Sequence, residues 1–102
     1  MSDKNADFAL EIRPENGDYK NGFIAEADLE SGDFQVLTLR YKLPGGPDFN
    51  SLKDFDSEGT STTCTVSREL LVKLFGKQPT FFAVATIGGV KKKSNDVFID
   101  LT

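Results

Sequence analysis

The chain contains no histidine and no tryptophan, and it carries one cysteine and one methionine. Without histidine there is no Ser-His-Asp triad and no imidazole general base, and with Cys64 alone there is no Cys/His zinc site. A single cysteine also fits a reducing compartment better than a small secreted domain, and no Asn-x-Ser/Thr glycosylation acceptor occurs. No apolar run approaches the 18 residues of a membrane-spanning helix. Positive charge is the scarcer sign: twelve Lys plus Arg stand against sixteen Asp plus Glu, giving a net charge of −4 and a pI near 4.7. That balance argues against general nucleic-acid binding.

What is present is the composition of one globular domain. The 102 residues, 38% hydrophobic and 27% charged with nine Phe and nine Gly, suffice to bury roughly 65% of the unfolded surface and leave no room for a second domain. Met1 to Asp7 is polar and has no secretory apolar stretch, so the expectation is a flexible tail over 1–7, one domain over 8–102, and synthesis in a cytosol.

Short alternating stretches run along the chain. Phe8, Leu10 and Ile12 alternate before Pro14 and Asn16-Gly17. From Gly22 to Leu29, Phe23, Ala25, Ala27 and Leu29 oppose Ile24, Glu26 and Asp28. Phe34 to Leu43 is the clearest, with Leu37, Leu39, Tyr41 and Leu43 on one face and Thr38, Arg40 and Lys42 on the other, ended by Pro44-Gly45-Gly46-Pro47. Residues 48–60 read as a loop with a short edge strand. Ser61 to Val66 is β-branched and reads as a strand. Ser67 to Gly76 then has a cap residue, Glu69 in the first turn and a terminal glycine, which predicts a two-turn helix. Thr80 to Ile87 is an uncharged run suited to a central strand, Gly88-Gly89 turns it, and Asp96 to Leu101 reads as a last strand pairing back on it, with Val97, Ile99 and Leu101 inward and Phe98 outward. Six or seven strands with one short helix near 68–75 predict an all-β, antiparallel sandwich of Greek-key connectivity.

The stretch from Phe81 to Leu101, with Phe81-Phe82-Ala83-Val84-Ala85, the Gly88-Gly89 loop, Ser94-Asn95 and the Val97 strand, resembles the closing hairpin of fibronectin type III and related immunoglobulin-like domains. The resemblance covers about a fifth of the chain, and Leu39-x-Tyr41 adds a second, weaker match. The chain departs from those domains in lacking the second-strand Trp, the cysteine pair and the corner Tyr. The resemblance implies an immunoglobulin-like β-sandwich. Single domains of this kind and size, made without a signal peptide, are similar to accessory proteins of bacteriophage virions that decorate capsids, tails or fibres.

Several residue groups are candidates for a role. Asp54, Asp56, Glu58 and Gly59 resemble the first half of a calcium loop, but its twelfth position is Thr65 and no bidentate Glu arrives, so a solvated acidic loop is the simpler reading. Lys91, Lys92 and Lys93 either guard an edge strand against unwanted pairing or meet an acidic or phosphate-bearing partner, and strand alternation sends the middle one to the opposite face. Phe49, Leu52 and Phe55 either anchor a protein partner or cover one end of the sandwich; the need of a short chain to bury most of its phenylalanines favours the second. Cys64, among threonines and without a histidine to activate it, reads as a buried, inert thiol.

Nothing places two carboxylates across a cleft, and neither Gly45-Gly46 nor Gly88-Gly89 is followed by the Lys-Ser/Thr or helix start of a phosphate loop. The expectation is a non-enzymatic domain with no cofactor and no metal, bound to a capsid or tail protein of a virion after synthesis in the host cytoplasm, with no membrane or nucleic-acid partner and with self-association open. The alternatives are a cytoplasmic inhibitor or adaptor acting through its loops or acidic surface, and a calcium- or carbohydrate-binding sandwich.

Overall fold

Alternation at a period of two gives each strand one apolar face, and such faces find cover by stacking sheet on sheet. In a computed structural model, which describes residues 6–29, 34–46, 50–58 and 61–102, the strands form two antiparallel sheets packed as a sandwich. One sheet holds β1 (Leu10–Pro14), β2 (Gly22–Ala27), β6 (Ser61–Ser67) and β5 (Asp56–Glu58), in the order β1-β2-β6-β5. The other holds β4 (Asn50–Asp54), β3 (Val36–Lys42), β7 (Thr80–Ile87) and β8 (Val90–Lys93), in the order β4-β3-β7-β8, and β9 (Val97–Phe98) also pairs with β7.

The expected inward residues form the core. Phe23, Ala25, Leu39, Cys64, Val66, Phe81, Ala83 and Ala85 are fully enclosed. Phe23 from one sheet meets Phe81 from the other edge to face, 5.1 Å between ring centroids, with Tyr41 6.2 Å from Phe81. Each fully buried Phe or Leu contributes about 2–3 kcal/mol of transfer free energy. Gly22 is required where β2 passes β6: its φ is 114°, and a Cβ there would lie 2.8 Å from the Val66 carbonyl oxygen.

Arg68–Leu71 forms one helical turn, α1, and Val72–Leu74 continues it as a 3-10 turn, which delivers Leu71 and Leu74 to the core. Ser67 stands at the cap position in extended conformation, yet its hydroxyl makes no capping bond. The helical turn carries the chain from β6 over to β7.

Two segments differ from the expectation. Residues 48–60 hold two short strands in different sheets: β4 pairs with β3, β5 pairs with β6, and the chain steps across the sandwich edge at Phe55. The Phe55 N–H donates to the Leu37 carbonyl at 2.9 Å, and its ring joins the core. The closing hairpin also differs, because the partner of β7 after the glycine turn is β8; the expected last strand pairs with β7 at Val97–Phe98, and beyond it the Ile99 and Leu101 N–H groups donate to the Pro79 and Lys77 carbonyls. Gly88 and Gly89, with φ of 57° and 79°, make the two-residue turn that this hairpin needs. Ser94 ends this ladder: it is buried, its N–H donates to the Ala83 carbonyl at 2.9 Å, and its hydroxyl, in place of its carbonyl, accepts from the Ala83 N–H at 2.8 Å. With these additions the described residues hold nine strands rather than six or seven.

The edge opposite Phe55 is closed by polar groups. Phe8 bridges Ser94 in parallel, Asp7 N–H donates to the Lys93 carbonyl at 2.8 Å, and Lys93 N–H donates to Asp7 Oδ2 at 2.9 Å. The Asn95 side chain pairs with Leu10 as a strand would, accepting from its N–H at 2.7 Å and donating to its carbonyl at 3.2 Å. Residues 1–5 of the expected tail lie outside the described residues. No helix among the described residues is long and apolar enough to cross a membrane.

Candidate docking face

Strand register decides which side chains share a surface. On β7, Phe81, Ala83 and Ala85 point into the core, so Thr80, Phe82, Val84 and Thr86 line the outside of their sheet. Pairing then brings Lys42, Arg40, Thr38 and Val36 alongside them from β3, Lys91 and Lys93 from β8, and Phe98 from β9. Asp54 completes the row through β4, accepting from the Thr38 hydroxyl at 2.9 Å. Four cations, Arg40, Lys42, Lys91 and Lys93, thus share one sheet face with two carboxylates, Asp54 and Asp96.

The face has internal structure. Lys93 Nζ lies 2.9 Å from Asp96 Oδ1 and 5.0 Å from the centroid of the Phe82 ring, and Lys42 Nζ lies 3.8 Å from Asp96 Oδ2. Phe82 is only 6% exposed although it sits outside the core cluster, so the lysine stem and its neighbours roof an aromatic that a bare sheet face would leave wet. Val36 and Phe98, 54% and 61% exposed, stand opposite Thr86 and Thr80 and are therefore about 20 Å apart along β7.

The sequence-derived candidates fall in different places. Lys91 and Lys93 share the outer face, whereas Lys92 pairs with the inward Ala85 and lies half-buried at the sheet margin. Leu52 is half-buried against the core and Phe55 is inside it, the placement that covering one end of the sandwich requires; Phe49 lies outside the described residues. The backbone from Asp56 to Glu58 is extended and paired with β6, which is a strand rather than a loop wrapped around a cation. Among the described residues no group of three or more His, Cys, Asp or Glu side chains is placed to hold a metal ion. Cys64 is fully enclosed.

The reading of lysines alone missed Arg40, Lys42 and Asp96 as members of the same surface. Alternation already set Arg40 and Lys42 together on β3; their meeting with Lys91 and Lys93 depends on register across β7, which no local pattern carries. An open depression of about 350 Å³ lies at one end of the sandwich, between Leu43, Pro44, Gly76, Lys77, Gln78 and Thr102. Asp100 stands beside it, and its carboxyl is held below the ordinary aspartate range by the Thr102 hydroxyl at 2.6 Å, then by the Thr102 N–H at 3.0 Å, with smaller help from Gln78 and Lys20.

In comparisons with protein-family models, curated proteins and solved structures, this chain finds no match.

Proposed function

We propose that the chain is a non-catalytic docking domain of the immunoglobulin-like kind, which seats on a repeating protein lattice, the capsid or tail of a virion, through the outer face of its β4-β3-β7-β8 sheet. The observation that carries this reading is that face, with its four cations and with Val36 and Phe98 exposed at its two ends. On a chain of net charge −4 such a surface is a local reversal of sign, suited to an acidic protein partner. The immunoglobulin-like assignment is supported by the strand orders β1-β2-β6-β5 and β4-β3-β7-β8, which follow the division of strands in those sandwiches, and by the likeness of the Phe81 to Leu101 hairpin. Docking needs a rigid platform with one chemically distinct face; it needs no cleft.

The test is sedimentation of a tagged copy in lysate of its native source, with mass spectrometry of the proteins that travel with it. The proposal expects many copies on large particles, and loss of that association in a Lys91→Glu, Lys93→Glu variant that keeps the thermal unfolding midpoint of the parent within a few degrees. Recovery of a small complex with one stoichiometric partner would replace lattice docking by an adaptor or inhibitor role.

A further inference from the structure

The outside of the other sheet has the opposite chemistry. Glu11 and Arg13 of β1, Glu26 of β2 and the following Asp28 are its charged residues among the described side chains, and Glu11 stands directly across from Glu26. Arg13 lies between the two carboxylates, 3.6 Å from Glu11 and 3.1 Å from Glu26. On the basic face the same arrangement is inverted, with Asp96 between Lys42 and Lys93. All of these side chains are accessible: Glu11 is 70% exposed, Arg13 52%, and Lys42 and Lys93 45% each. The molecule therefore carries two complementary charge patterns on opposite sides of one sandwich.

We infer that copies of this chain associate head to tail, the acidic outer face of one β1-β2-β6-β5 sheet on the basic outer face of the next copy's β4-β3-β7-β8 sheet. Pairing like faces about a two-fold axis would lay the patch of Arg40, Lys42, Lys91 and Lys93 on a second copy of itself, or the patch of Glu11, Glu26 and Asp28 on its own copy, so that the majority charges that meet have the same sign. The unlike pairing satisfies both faces, and because each added copy presents the face that the last one used, it propagates as an open stack. The molecule measures 38 × 29 × 25 Å, which gives its broad faces room for the roughly 800 Å² per partner of an ordinary interface. Overall repulsion between copies of net charge −4 acts over longer distances than the contact pairs, so salt near about 0.1 M, with a screening length of about 10 Å, favours the stack, whereas about 1 M salt dissolves it.

This inference rests on the docking reading only for the accessibility of the basic face, and its test needs no lattice. Sedimentation velocity of the purified chain at about 0.1 M salt is expected to show a weight-average mass that rises with concentration past the dimer and falls to the monomer at about 1 M salt. Two variants, Lys91→Gln with Lys93→Gln and Glu11→Gln with Glu26→Gln, are each expected to stay monomeric. Mixed together, they have one intact face apiece and form a dimer that grows no further. Circular dichroism melts of both variants check that the fold is retained. A monomer at every concentration in about 0.1 M salt, or a dimer indifferent to both pairs of substitutions, overturns the inference. Failure of lattice docking with stacking intact would leave it standing.

Discussion

Among the described side chains, the charged ones outside the β1-β2-β6-β5 sheet are Glu11, Arg13, Glu26 and Asp28; outside the β4-β3-β7-β8 sheet they are Arg40, Lys42, Lys91, Lys93, Asp54 and Asp96. The two surfaces come from the same backbone arrangement, with small and apolar residues turned inward at every second position. Alternation dictates that the outward residues be polar, but it leaves their sign free. Each face also contains one residue of the minority sign set between two of the majority, Arg13 on one side and Asp96 on the other. The difference that bears on stability lies beneath the charges: the basic face covers the ring of Phe82, whereas the acidic face, among the described side chains, has the half-buried Ile24 in a comparable outward position.

That difference gives the largest expected effect. Phe82→Ala removes a ring that is 6% exposed and packed under Lys93, and we expect a loss of about 3 kcal/mol in denaturant unfolding. Ile24→Ala on the other face removes a smaller and wetter side chain and should cost about 1 kcal/mol. Equal losses would mean that the two outer faces are energetically alike and that the cover over Phe82 contributes nothing.

The charge arrangement can be broken in both senses. Arg13→Gln leaves Glu11 opposite Glu26 without a counter-ion, and Asp96→Asn leaves Lys42 and Lys93 in the same position. Each loss should be below about 1 kcal/mol, because the groups are exposed. Both should grow when salt is lowered from about 0.15 M to about 0.01 M, where screening extends to about 30 Å. Unfolding curves at the two salt concentrations measure this, and losses unchanged by salt would show that the residues act through packing or hydrogen bonds instead.

Much of this comparison could be read from the chain itself. Strands β2 and β3 were legible because one face of each is buried along its whole length, so Phe23, Ala25 and Ala27, or Leu37, Leu39 and Tyr41, recur at strict alternate positions. The helical turn after Ser67 was legible from Glu69 and Gly76. The segment from Asn50 to Glu58 was not, since five- and three-residue strands rich in Ser, Asp and Lys carry little alternation, and a chain that changes sheets at Phe55 changes the side it buries. β8 shows no apolar alternation, since Val90 to Lys93 is an edge strand where lysine is tolerated and apolar residues are not needed; its three lysines were the legible sign, because they suit the sheet edge on which they stand. Phe82 was hidden for another reason. In Thr80 to Ile87 both faces are apolar or small, and only the register with β3, β8 and Asp96 shows that one of them faces outward under a lysine.

The smallest expected effect concerns an acid at the Phe98 end of the basic side. The carboxyl of Asp100, two residues past Phe98, accepts from both the hydroxyl and the N–H of Thr102, which hold its pKa below the ordinary aspartate range; Gln78 and the positive charge of Lys20 act in the same direction. A carboxylate favoured in the folded state binds its proton less readily there than in the unfolded chain. Its contribution is therefore complete above the unfolded-state value and is lost as pH falls through the lower, folded-state value. Asp100→Asn removes this one component of acid sensitivity, so the melting temperature of the variant should decline slightly less than that of the parent as pH is lowered through the acidic range. Because the group is fully solvated, the difference is confined to that range and vanishes near neutrality apart from the constant cost of the lost charge-assisted bonds. Parallel pH profiles for the two chains would mean that the Asp100 carboxyl binds its proton equally well in the folded and the unfolded chain, so that its bonds to Thr102 add nothing to acid sensitivity.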